Sequence, residues 1–166
     1  MFDESLQRRA ARLLERCRRV GVTLATAESC TGGLIAACLT EVPGSSAVVE
    51  RGFVTYSNAA KQQLLGVPEA MIADKGAVSG EVAKAMAEGA LAESPATLAV
   101  SVTGIAGPGG ATPSKPVGLV YFGAARQGRP TRVEKRIFPG NRRAVRVASL
   151  QLALTLLDEA LDRDQT

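Results

Sequence analysis

With 166 residues, 46% of them hydrophobic and 22% charged, the chain is long enough for one domain with a full core and too apolar to be disordered. No apolar run is long enough to span a bilayer, and Met1-Phe2-Asp3-Glu4-Ser5 lacks the basic-then-apolar order of a secretory signal, so a cytoplasmic location is expected. Histidine is absent, which excludes Ser-His-Asp and Cys-His relays, and three cysteines without Cys-x-x-Cys spacing argue against a disulfide framework or a zinc site.

A first helix is expected from about Ser5 to Arg19, stopped by Gly21. The net charge of +4 gathers there, on Arg8, Arg9, Arg12, Arg16, Arg18 and Arg19. Those arginines admit two readings, a nucleic-acid footprint or a solvated face. Leu6, Ala10, Leu13, Cys17 and Val20 form an apolar stripe opposite them, and few aromatics are present to stack bases. The solvated face is therefore preferred, and no nucleic-acid partner is expected.

Val22 to Thr26 reads as a strand, and Gly32 to about Thr40 as a helix closed by Pro43-Gly44. Val48 to Tyr56 is rich in β-branched and aromatic residues and reads as a second strand. Ser57-Asn58 then caps a short helix to Leu65, with Gly66 as its stop. After a turn around Pro68, a helix is expected over Ser79–Ala92 and a strand over Thr97–Thr103. That strand breaks into Gly104-Ile105-Ala106-Gly107-Pro108-Gly109-Gly110. Val117 to Ala125 and Thr131 to Phe138 suit a hairpin around Gly128, and Arg142 to Leu161 a long last helix whose apolar stripe would permit a homodimer.

This order predicts an α/β fold: one layered domain over residues 1–166, with a mixed, mostly parallel sheet flanked by helices on both faces. Ligands of such sheets gather beyond the carboxyl ends of strands. Three segments fall there: the turn at Ser29, the segment from Tyr56 to Lys61, and the glycine loop after Thr103.

The first of these, Ala27-Glu28-Ser29-Cys30-Thr31-Gly32-Gly33, crowds nucleophiles at a helix entrance, where free N–H groups can hold an oxyanion or a phosphate. Ser or Thr in that place is otherwise an ordinary N-cap, and Cys30 a small packed residue. Without histidine a serine nucleophile needs another base, and Lys61 is the leading one. The helix dipole alone opposes an ammonium by about 0.3–1 kcal/mol, whereas a useful lysine base requires about 4 kcal/mol. A catalytic Lys61 must therefore be largely buried. Tyr56 is either a half-buried aromatic or, through its hydroxyl, a proton relay between serine and lysine or a group that orients the substrate. The glycine loop lacks Gly-Lys-Ser/Thr and is either a turn or an anion-binding nest. Arg142, Arg143 and Arg146 are either solvated or hold a substrate phosphate or carboxylate.

Taken together, TAESCTGG, PGSSAVVERGFVTYSNAAK, GAVS, SVTGIAGPGG with KPVG, and GNRRAVR resemble the CinA C-terminal domain family, which includes stand-alone nicotinamide-nucleotide amidohydrolases. The resemblance runs from about Val22 to Leu154. It implies hydrolysis of the carboxamide of nicotinamide mononucleotide, with that nucleotide as the small-molecule partner and no metal or organic cofactor. It implies Ser29 as nucleophile, Lys61 as base and Tyr56 beside them. Substrate contacts would come from Cys30, Thr31, Gly32, Gly33 and Asn58, and from Thr103, Gly104, Gly107 and Arg142 around the nucleotide. Many relatives have Asp where this chain has Asn141, and histidine where it has Lys75. A regulatory nucleotide-binding domain of the same family, linked to competence or DNA damage, is the alternative.

Overall fold

The computed structural model describes residues 1–162. Helix α1 (Glu4–Val20) opens on Asp3, whose side chain accepts from the Leu6 N–H, and buries Leu6, Ala10, Leu13, Leu14 and Cys17. Gly21 ends it at φ 67°, with its own N–H bonded to Arg18 and that of Val22 to Cys17. Val22 thus belongs to the helix stop. For that reason β1 (Leu24–Glu28) starts two residues later than the sequence pattern suggests and runs on to Glu28.

The next difference matters more. Gly32 and Gly33 sit at φ 59° and 98°, so α2 (Leu34–Thr40) cannot begin at Gly32. Residues 29–33 form an open turn instead. A 3₁₀ turn leads into β2 (Val49–Val54), and Ser57 caps α3 (Asn58–Leu65) through the Ala60 N–H. The stretch after Pro68, expected as a plain turn, holds a further two-turn helix, α4 (Glu69–Lys75). Then follow α5 (Gly80–Ala92), β3 (Leu98–Gly104), the hairpin of β4 (Leu119–Arg126) and β5 (Arg132–Ile137), and α6 (Arg142–Asp162).

The five strands lie in the order β2-β1-β3-β4-β5. The sheet is mixed as expected: β1 pairs in parallel with β2 and β3, and β3-β4-β5 is antiparallel. Helices cover both faces. Leu24, Leu98, Val100 and Val102 pack with α1, α2 and α6 on one side. Ala25, Ala27 and Ala99 alternate to the other side, under α4 and α5. These small residues let α5 approach closely; a Cβ at Gly123 would lie 2.5 Å from the Ala83 carbonyl oxygen. Because β1, β2 and β3 all run the same way, their carboxyl ends open at one edge. The Ser29 turn, the Tyr56 turn and the glycine loop meet there. Among the described residues no helix is long and apolar enough to cross a membrane.

Candidate active site

Ser29 follows the last residue of β1, and its N–H is tied to the Val102 carbonyl of β3 at 2.9 Å. Lys61 rises from the first turn of α3 and is 1% exposed, against 8% for Ser29. Lys61 Nζ lies 2.9 Å from Ser29 Oγ and donates to the Thr55 carbonyl at 2.8 Å. Thr55 is in turn fixed by its N–H to the Glu28 carbonyl at 2.9 Å. Three strand ends therefore locate one amine against one hydroxyl. Among the described residues no carboxylate pairs with Lys61, and burial pushes its pKa below the usual 10.5. The burial required of a lysine base is met.

Cys30 lies 6% exposed beside Ser29. Burial pushes its thiol up to about 11, and the charge of Glu28 adds to the shift. At neutral pH it is a protonated thiol and a poor nucleophile.

Gly32 donates to the Ser29 carbonyl at 3.0 Å, and the Thr31 carbonyl accepts from Leu34 N–H at 3.1 Å and from Arg146 at 3.0 Å. Two peptides of the turn are thereby fixed. Among the described residues the N–H groups of Cys30, Thr31 and Gly33 meet no backbone acceptor, and that of Cys30 lies against its own thiol. The Cys30 N–H shares a trans peptide plane with the Ser29 carbonyl and so points the opposite way. Its contact to a weak sulfur acceptor leaves it able to donate next to the hydroxyl. The α2 N–H groups of Ile35 and Ala36, in contrast, are held by the Glu28 carboxylate at 2.8 and 3.0 Å.

The remaining candidates divide. Tyr56 is 60% exposed, and its hydroxyl accepts from Arg142 at 2.9 Å. No hydrogen bond among the described residues joins it to Ser29 or Lys61. Arg142 also donates to the Gly107 carbonyl at 2.9 Å, so it bridges the glycine loop and the Tyr56 turn. Thr103 is buried and donates to the Ala77 carbonyl at 2.7 Å, which anchors the approach to α5. At Gly104 a Cβ would lie 2.7 Å from the Val120 side chain and 2.8 Å from the Leu119 carbonyl oxygen. Its smallness thus serves strand packing. Asn58 is exposed at the start of α3. Asn141 caps α6 by accepting from Ala144 N–H at 3.0 Å, a task an aspartate performs equally, and Arg142 is oriented by Gly107 and Tyr56.

Sequence patterns alone did not single out Glu28 or Thr55. The one available signal was a carboxylate closing the strand Leu-Ala-Thr-Ala-Glu, where an apolar residue would be the simpler choice.

The family model of the CinA C-terminal domain matches residues 6–161. The chain belongs to the CinA C-terminal domain family. The nicotinamide-nucleotide amidohydrolase PncC of Pseudomonas putida is 52% identical over 145 residues, covering 87% of this chain and 90% of that protein. A CinA-like protein of Citrifermentans bemidjiense is 52% identical over 157 residues, 95% of this chain but 38% of that one. Against CinA-like relatives of that kind the chain spans about a third of their length. Its fold matches the competence/damage inducible protein CihA from Agrobacterium tumefaciens at a TM-score of 0.93, with 45% identity and 98% of both chains covered.

Proposed function

We propose that this CinA-family chain acts as one amidohydrolase domain that converts nicotinamide mononucleotide to nicotinic acid mononucleotide and ammonia, a step of pyridine nucleotide salvage. The likeness to PncC supports the substrate. The observation that carries the chemistry is the buried Lys61 amine 2.9 Å from the Ser29 hydroxyl. Neutral Lys61 takes the Ser29 proton as Oγ bonds to the carboxamide carbon. The electron-poor pyridinium ring makes that carbon easier to attack.

The oxyanion is stabilised by the turn N–H groups of Cys30 and Thr31; one such donor is commonly worth about 3–4 kcal/mol. Collapse breaks the C–N bond, and the Lys61 ammonium returns its proton to the departing nitrogen, which leaves as ammonia. Water then adds to the acyl-serine, Lys61 takes its proton, and the acid and the free hydroxyl are released. Arg142 and the glycine-loop backbone it bonds suit the nucleotide phosphate, with Tyr56 and Asn58 at the rim.

Ammonia release from nicotinamide mononucleotide, measured for the wild type beside Ser29→Ala, tests the reading. Turnover lost in the variant is expected. Equal turnover in both would transfer the nucleophile elsewhere, and tight nucleotide binding without turnover in either would favour a regulatory binding domain.

A further inference from the structure

Glu28 is a fully buried acid that the chemistry above does not use. Burying a carboxylate is costly unless its oxygens are well bonded. Here one oxygen accepts from Ile35 N–H at 2.8 Å, and the other from Ala36 N–H at 3.0 Å and Thr26 Oγ1 at 3.2 Å. The neighbouring strand makes room for this cluster. A Cβ on Gly52 would come within 2.9 Å of Thr26 Oγ1 and 3.2 Å of the Ala36 side chain.

The local sequence explains why an acid is needed. The residue before α2 is Gly33, which has no side chain to cap the helix. Glu28 performs that task from the preceding strand. In doing so it closes a short loop between its own backbone and Ile35, and Ser29, Cys30 and Thr31 lie inside that loop. It also saturates the Ile35 and Ala36 N–H groups, so that the donors left over in the turn are those of Cys30, Thr31 and Gly33.

We infer that Glu28 is a positioning residue for the deamidation: it fixes the turn so that the Cys30 and Thr31 N–H groups face the oxygen on which charge develops. This rests on the Ser29–Lys61 reading. Glu28 touches neither substrate nor Lys61, and acts through the backbone of residues 29–31.

Glu28→Gln keeps the shape but replaces one acceptor with a donor that faces backbone N–H groups. Its kcat per folded molecule should fall about 100-fold, the scale of a displacement of about 1 Å at a reacting group. KM should stay within about twofold, and the acid limb of the pH profile, set by Lys61, should not move. A lower melting temperature with kcat unchanged would overturn the inference, because Glu28 would then be only a structural cap.

Should Glu28→Gln fail to fold, Thr26→Val removes one donor to the same carboxylate and leaves the acid in place. A loss in kcat of about 3–10-fold at constant KM is expected from a single weakened hydrogen bond, and full activity would overturn the inference. Ser29→Ala assayed alongside separates the two ideas. Activity surviving in Ser29→Ala sinks the dyad, whereas an inactive Ser29→Ala beside a fully active Glu28→Gln sinks only the positioning role.

Discussion

The arginine face of α1 and the lysine at the mouth of the sheet are both basic, but their surroundings differ. On α1, Arg8 pairs with Glu4, Arg18 with Glu15, and Arg16 with Asp158 and Asp162 of α6. Arg9 donates to the Gln151 carbonyl and the Thr155 hydroxyl. Lys61 has less exposure than any of these, and its partners are a neutral hydroxyl and a carbonyl. A cation beside carboxylates is stabilised as a cation. One removed from both water and acids is driven toward the free amine, which is the form that can accept a proton. Charge density along the chain points to the first region, whereas the proposed chemistry belongs to the second.

Lys61→Arg breaks the contrast at its strongest point. Guanidinium stays charged and cannot serve as a base. Ammonia release should fall by about 10²–10⁴-fold, the range for loss of a general base, and near-normal activity would remove Lys61 from the mechanism. Titration sharpens the same point. Activity should rise with pH as Lys61 loses its proton, with a midpoint below 10.5, since burial lowers the folded pKa. Stability follows the same sign. Between the lowered folded value and 10.5 the unfolded chain holds the additional proton, so stability should increase with pH across that window. Below the window the full cost of a buried ammonium is present. Lys61→Met should therefore flatten the slope and raise neutral-pH stability, as read by urea denaturation at several pH values.

The fold was legible because its signals are local. Gly21 and Gly66 end helices where expected, Ser57 and Ser79 cap them, and β1 and β3 are short runs buried on both faces. α4 escaped because two turns with only Met71 and Ile72 as large apolar residues show too little periodicity. The start of α2 was misplaced because glycine accepts both helical and left-handed backbone, and only tertiary structure selects between them. Lys61 was identifiable by elimination, since histidine is missing. Glu28 was not, since its partners are backbone N–H groups seven and eight residues ahead and leave no side-chain pattern. Tyr56 stood close in sequence to Lys61 but turned outward to Arg142, as a residue just beyond a strand is free to do.

The rim of the cleft gives an effect of intermediate size. Arg142→Ala removes the bridge from the glycine loop to Tyr56 and the cation offered to a phosphate. KM for nicotinamide mononucleotide should rise about 10–100-fold, the equivalent of one charge-assisted hydrogen bond, with a smaller change in kcat. Tyr56→Phe removes only the hydroxyl that accepts from Arg142 and should alter kcat/KM by about fivefold or less. A kcat loss beyond about 100-fold in Tyr56→Phe would contradict its place at the rim and bring it back as a proton relay.

The smallest effect belongs to the arginine face, and its smallness is informative. Arg16→Ala breaks two partly exposed ion pairs that fasten α1 to the end of α6. Such pairs are screened by water and salt, so the loss of stability should be about 1 kcal/mol or less, shrinking further at high salt. Turnover should be unchanged, because the bridge lies on the helix layer far along α6 from Arg142. Retention on DNA at low salt should be weak and insensitive to the substitution, since Arg16 already has carboxylate partners that compete with phosphate. Strong binding lost on neutralising Arg8, Arg12 and Arg16 together would mean that the pairs open to a polyanion, and the face would then carry a function of its own.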